Sequence, residues 1–193
     1  MAPRVGVLAL QGDFLEHIQM FQSLGVEAVR VALPRDLEKV DALIIPGGES
    51  TTISRLMETF DLKGPIKERA KKGMPVWGTC AGMIVVSSDV PELDREPLGL
   101  IDLRVRRNAF GRQVDSFTQD LDVKGVEGGP YKAVFIRAPV IETIGDDVEV
   151  LAQLEDGRPV AARQGCILVT AFHPELTKDA RIHTLFLKSL PGD

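Results

Sequence analysis

The chain has 193 residues, 44% of them hydrophobic and 26% charged, with a formal net charge of −5. That apolar content excludes disorder as the main state, and 18 glycines and 12 prolines scattered without period exclude a collagen-like or low-complexity chain. A chain of this length buries roughly 70% of its unfolded surface; it fits one domain over residues 1–193, and its acidic balance argues against a nucleic-acid backbone as partner.

The apolar run Arg4 to Leu10 reads as a short strand buried on both faces. It is too short for a secretory signal or a membrane span, so the expected compartment is the cytoplasm, with no membrane partner. Phe14, Leu15, Ile18, Phe21 and Leu24 recur at helical spacing, and Gly25 is a natural stop. Val26 to Val31 is a second strand and Asp41 to Ile45 a third, closed by Pro46-Gly47-Gly48. Helical patterns follow at Thr51 to Phe60 and Pro65 to Lys72, then a strand at Met74 to Gly78 and a helix from Ala81. This alternation predicts a parallel sheet with helices on both faces.

The second half reads as strands: Leu98 to Arg107, Asp115 to Val123, Tyr131 to Arg137, Val148 to Leu154, Arg158 to Arg163 and Cys166 to Phe172. Turn residues such as Glu127-Gly128-Gly129-Pro130 separate them, so some pair antiparallel. A helix over Lys178 to Leu190 closes the chain. The expected fold class is α/β, with a mixed, mostly parallel sheet.

Two cysteines, Cys80 and Cys166, make neither a disulfide framework nor a zinc-ligand spacing, and no metal site is expected. Cys80 lies in Gly78-Thr79-Cys80-Ala81-Gly82, between a predicted strand and a predicted helix. A nucleophile elbow needs small residues on either side of a strained turn. The competing reading, a small buried hydrophobe, better suits Cys166, which opens the strand Cys-Ile-Leu-Val-Thr. Of three histidines, His17 reads as a helix-surface residue and His183 as a surface or helix-terminal one. His173 directly follows the last strand, so it reaches the sheet edge that Cys80 reaches, the edge where open α/β sheets bind ligands. Glu175, two residues on, faces the same way in extended chain and can accept the imidazole N–H.

Pro46-Gly47-Gly48-Glu49-Ser50-Thr51-Thr52 offers backbone donors for an oxyanion, with the Ala81 N–H as a second donor. A phosphate cradle is the rival reading, opposed by Glu49 and by the missing P-loop lysine; a tight turn capping the next helix is another. Arg107 falls on the apolar face of its strand with Leu103 and Val105, and Arg137 ends the run Val134-Phe-Ile-Arg. Either clamps a substrate carboxylate or makes a structural salt bridge.

Cys80, His173 and Glu175, in that order, resemble the triad of class I glutamine amidotransferases. Six blocks together resemble the glutaminase subunits of pyridoxal 5′-phosphate synthase, the PdxT/SNO family: Leu10-Gln11-Gly12-Asp13, Pro46 to Thr52, Gly78 to Gly82, Arg107 to Ser116, Phe135-Ile-Arg-Ala-Pro139 and Phe172 to Thr177. The one departure is Ala109, where the family usually carries serine.

The resemblance implies a three-layer, flavodoxin-like fold and a glutaminase working through a cysteine thioester. Cys80 would be the nucleophile with His173 and Glu175, and Gly48, Glu49, Ser50, Arg107, Ile136 and Arg137 would contact glutamine. It also implies Gln11 near the oxyanion loop, where the family couples docking to activation. The implied partner is a (β/α)₈-barrel synthase subunit of the PdxS/SNZ type in a hetero-oligomer, with no cofactor on this chain. A glutaminase serving another synthase, a non-catalytic docking or regulatory relative, and a cysteine hydrolase or chaperone of related fold are the alternatives.

Overall fold

The computed structural model describes residues 3–107 and 116–190. In chain order the elements are β1 (Arg4–Leu8), α1 (Phe14–Ser23), β2 (Glu27–Val31), α2 (Pro34–Leu37), β3 (Ala42–Ile45), α3 (Ser50–Thr59), α4 (Lys63–Lys71), β4 (Val76–Thr79) and α5 (Ala81–Val86). There follow β5 (Ser87–Asp89), β6 (Ile101–Arg106), β7 (Ser116–Leu121), β8 (Tyr131–Ile136), β9 (Val140–Ile144), β10 (Glu149–Gln153), β11 (Pro159–Gln164), β12 (Ile167–Thr170), a 3₁₀ turn (Pro174–Leu176) and α6 (Arg181–Leu187).

Seven strands form the central sheet in the order β10-β11-β12-β4-β3-β1-β2. β12, β4, β3, β1 and β2 run parallel, while β10 and β11 add an antiparallel end. β3, β4 and β12 are buried along their whole length, which is why they read as nearly continuous apolar runs. The chain steps one way from β1 to β2 and the other way from β2 to β3 and β4. Right-handed crossovers then put α1 and α3 on opposite faces and leave a crevice at the ends of β1 and β3, where the winding reverses. Asp13 N–H donates to the Gly47 carbonyl across that crevice at 3.1 Å.

The strands expected in the second half do not all join this sheet. β5, β6 and β9 form a three-stranded sheet of their own, and β7 pairs only with β8. β9 escapes the sequence pattern because only Ile141 of its five residues is fully buried. α2 is one turn, begun by Pro34 and held by Asp36, whose carboxylate accepts from the Ala32 and Leu33 N–H groups. α6 is shorter than its periodicity suggests, because Asp179 takes the Arg181 N–H at 3.1 Å and turns the chain there. The Arg181 guanidinium also donates to the Glu127, Gly129 and Pro130 carbonyls, pinning the glycine turn between β7 and β8. Ala109, and the block Arg107 to Ser116 apart from its two end residues, lie outside the described residues.

Candidate active site

β4 delivers Cys80 to the crevice in a backbone conformation that L residues rarely adopt, φ +49° and ψ −106°. Its N–H donates to the Thr170 carbonyl of β12 at 2.8 Å. The flanking glycines follow from contact. A β-carbon at Gly82 would run into the Ile45 carbonyl, and one at Gly78 would stand 2.6 Å from the Gly82 carbonyl carbon. Cys80 is 7% exposed, and its sulfur lies 3.8 Å from the Ile136 carbonyl oxygen.

β12 is the parallel neighbour of β4, with Thr170 opposite Thr79. The chain therefore leaves both strands at the same edge, and His173 arrives beside Cys80. Its backbone N–H donates to the Val134 carbonyl at 2.8 Å. Its Nδ1–H donates to Glu175 Oε1 at 2.7 Å, the 3₁₀ turn begun by Pro174 having brought the carboxylate back under the ring. Burial works to lower the His173 pKa, but hydrogen bonds to Cys80 and Glu175 and the charge of both groups outweigh it and raise it to about 10. Burial pushes the Glu175 carboxyl above its usual range, against the pull of the His173 bond.

Asp13 Oδ2 stands 3.6 Å from His173 Nδ1, with its own pKa raised chiefly by burial. Asp13, His173 and Glu175 are the only trio among the described residues whose ligand-capable atoms lie within 4.8 Å of one another.

The loop after β3 closes the other side. A β-carbon at Gly47 would stand 2.7 Å from the His173 ring, and one at Gly48 would collide with the Gln11 side chain. The Gln11 Oε1 accepts from the Glu49 N–H at 2.7 Å, so Gln11 does sit on this loop. Glu49 caps α3, accepting from the Thr51 and Thr52 N–H groups at 3.1 and 2.7 Å. Burial works to raise its carboxyl, but the Thr52 and Thr51 donors and the Arg107 charge hold it below the usual range. Arg107 donates to Glu49 Oε1 at 3.0 Å and to Thr51 Oγ1 at 3.0 Å, tying the end of its strand to the loop after β3.

Ser50 is buried at the start of α3, next to Glu49. Ile136 ends β8 with its carbonyl on the thiol, and Arg137 follows, exposed, at φ +42°. The expected triad and the expected glutamine contacts thus gather at one edge. Cys166 is half-buried against the Met74 carbonyl, at 3.7 Å.

Two expectations fail. His17 and His183 are not surface residues: both are fully buried, with His17 Nδ1 3.0 Å from His183 Nε2. The spacing Phe14, His17, Ile18, Phe21 placed His17 on the buried stripe of α1, and Ile182, His183 and Phe186 did the same on α6. That stripe was the available signal. Conversely Leu15 and Leu24, expected on the apolar face, are 43% and 37% exposed. Asp13 was not anticipated as a site residue; its placement needs the β1–β3 contact.

Comparison with known proteins identifies the family. The model of the SNO glutamine amidotransferase family matches residues 7–191. A pyridoxal 5′-phosphate synthase subunit PdxT from Herpetosiphon aurantiacus is 60% identical over 186 residues, covering 95% of this chain and 98% of that protein. One from Mycobacteroides abscessus is 58% identical, covering 97% of both. A crystal structure of a glutamine amidotransferase superposes with a TM-score of 0.91 at 47% identity, covering 96% of this chain and 97% of the other. A chain in the structure of PurLQS from Thermotoga maritima, 18% identical with a TM-score of 0.72, shares the fold, covering 97% and 99%.

Proposed function

The chain belongs to the SNO glutamine amidotransferase family, and on that premise we propose its function and the residues that carry it. It hydrolyses L-glutamine to L-glutamate and ammonia, and the ammonia serves the synthesis of pyridoxal 5′-phosphate. Residues 1–193 act as one glutaminase domain. The observation that carries the residue assignment is the 2.7 Å bond from His173 to a buried Glu175, set beside a cysteine held at positive φ.

A neutral thiol is a poor nucleophile, and an imidazole with its pKa near 10 holds the proton that Cys80 must lose. The thiolate attacks the side-chain amide carbon of glutamine. Backbone N–H groups of Gly48 and Ala81 take the oxyanion. His173 gives its proton to the leaving nitrogen, ammonia departs, and a Cys80 thioester remains. His173 then takes a proton from water, which attacks the thioester, releasing glutamate and returning the proton to the thiol–imidazole pair. Glu175 fixes the tautomer and supports the imidazolium.

Gly48, Glu49, Ser50, Arg107, Ile136 and Arg137 bind the substrate. The Arg137 guanidinium suits its α-carboxylate and the Glu49 carboxylate its α-ammonium. Ammonia released into water would be protonated and lost, so a closed route to a barrel subunit of the PdxS/SNZ type follows from the chemistry. Gln11, bonded to the loop through Glu49, is placed to report that docking. Among the described residues no helix is long and apolar enough to cross a membrane; the cytoplasm is the proposed compartment.

The test mixes the chain with the barrel subunit and measures glutamate release. Turnover is low alone, rises with the subunit, and vanishes in Cys80→Ala while the complex still forms. Release that persists in Cys80→Ala overturns the nucleophile, and no turnover in any mixture returns the chain to a docking role.

A further inference from the structure

The catalytic set uses one oxygen of Glu175. The other, Oε2, is fully buried and has no hydrogen-bond partner among the described residues, with His17 Nε2 3.3 Å away. His17 Nε2 is also 3.2 Å from Thr79 Oγ1, and His17 Nδ1 is 3.0 Å from His183 Nε2. His183 Nδ1 has no hydrogen-bond partner among the described residues. Burial lowers both pKa values, that of His183 to about 3, so each ring carries one proton at neutral pH.

Only one placement of those protons is economical. If His183 Nε2–H donates to His17 Nδ1, then His17 must carry its proton on Nε2, facing the carboxylate. Thr79 Oγ1 then accepts from His17 Nε2–H, and the groups of this cluster left over are acceptors only, His183 Nδ1 and Glu175 Oε2. The reverse placement leaves a buried N–H on His183 unpaired and sets a nitrogen lone pair against an anionic oxygen. A buried unsatisfied donor or charge is the costlier fault.

We propose that His17 is a positioning residue for the triad: oriented by His183, it turns its Nε2–H edge toward Thr79 Oγ1 and the bare Glu175 Oε2, 3.3 Å away, and the positive edge of the ring keeps that carboxylate ionised and aligned on His173. Without that edge the buried carboxylate would drift toward protonation, and a protonated Glu175 cannot support the His173 imidazolium. The chain of groups runs from Cys80 through His173, Glu175 and His17 to His183, from the crevice into the layer between α1 and α6.

This rests on the glutaminase reading, and the assay separates the two. Glutamine turnover is measured against pH in the complex with the barrel subunit, for the parent, His17→Phe, His17→Gln, His17→Asn and Cys80→Ala. Glutamine's amide nitrogen can reach the position of Nε2, whereas asparagine's reaches only that of Nδ1. His17→Phe lowers kcat about 10–100-fold, the scale seen for groups that orient a catalytic ligand, with KM nearly unchanged. Its acid limb moves up by about one pH unit, and His17→Gln restores much of both.

The titratable groups facing this pair are Asp13, Cys80, Tyr131, His173 and His183. The profiles are therefore repeated in Asp13→Asn, which removes the other carboxyl. A folded His17→Phe with parental kcat and acid limb overturns the proposal. If that variant fails to fold, equal kcat and equal limbs for the Gln and Asn variants overturn it instead. Turnover surviving in Cys80→Ala would sink the glutaminase reading; loss there with parental His17 variants sinks only this one.

Discussion

Burying two neutral histidines makes the fold sensitive to acid, and His183→Phe measures by how much. The His183 pKa is lowered to about 3 by burial, against about 6.5 in an unfolded chain. Below 6.5 the unfolded state takes a proton that the folded state refuses, so stability falls as pH falls. The rate approaches about 1.4 kcal/mol per pH unit for each such group. Between pH 7 and pH 5, His183 alone withdraws about 2 kcal/mol, and His17, lowered in the same direction, adds to the loss. His173 works the other way. Its pKa is raised, so its contribution is complete below the unfolded value and is lost as pH rises toward about 10. Comparing parent with His183→Phe removes that and every other shared contribution. The phenyl ring keeps the edge contacts that His183 makes with Trp77 and Phe21, both at 5.0 Å between centroids. Urea unfolding at pH 5, 6 and 7 reads the two stabilities. The parent is the more stable at pH 7, and its advantage shrinks by about 2 kcal/mol by pH 5. Parallel curves would refute the account of a neutral, buried His183.

Gly82→Ala puts a methyl group into the Ile45 backbone carbonyl, and urea unfolding should show a loss of about 1–3 kcal/mol; an equally stable variant would mean that the elbow has room it does not show. Arg107→Ala takes the charged donor from Glu49 and Thr51 and should raise KM for glutamine about tenfold with kcat nearly kept, so an unchanged KM removes Arg107 from the glutamine contacts. A glutamine-shaped chloroketone should label Cys80 and spare Cys166, read by peptide mass; label on Cys166 would reverse the assignment of the two thiols.

Much of the site was legible because its residues sit at the ends of strands. An apolar run closed by glycines announces a strand end, and Cys80, His173 and the Gly47-Gly48 pair each follow one. The two-residue step from His173 to Glu175 was also readable, though the 3₁₀ turn that brings the carboxylate back is Pro174's contribution. What escaped depends on partners distant in the chain. Nothing local to Arg107 says that Glu49, on another loop, receives its guanidinium. His17 is flanked by Glu16 and Gln19, which suggests a surface, and only α6 packing across α1 turns that stripe inward. Of the small sheet, β6 lies within the expected strand Leu98 to Arg107, whereas β5 and β9 escaped. Strands as short as these two, with few buried positions, carry too little alternation to stand out from turns.

The geometry of the triad is a consequence of strand register. Thr79 lies beside Thr170 in the parallel pair, and Cys80 and His173 follow by one and three residues. Side chains alternate faces along a strand, so a one-residue slip would move every side chain of β12 to the opposite face. The register is held because both strands are buried along their whole length, and because the Cys80 N–H closes on the Thr170 carbonyl at 2.8 Å. Trp77 ties the two strands a second time, its indole N–H donating to Thr170 Oγ1 at 3.2 Å in the buried layer. Packing in the middle of the sheet thus sets the approach of imidazole to thiol at its edge. Trp77→Phe, which keeps the ring and deletes that donor, therefore acts on kcat as well as on stability.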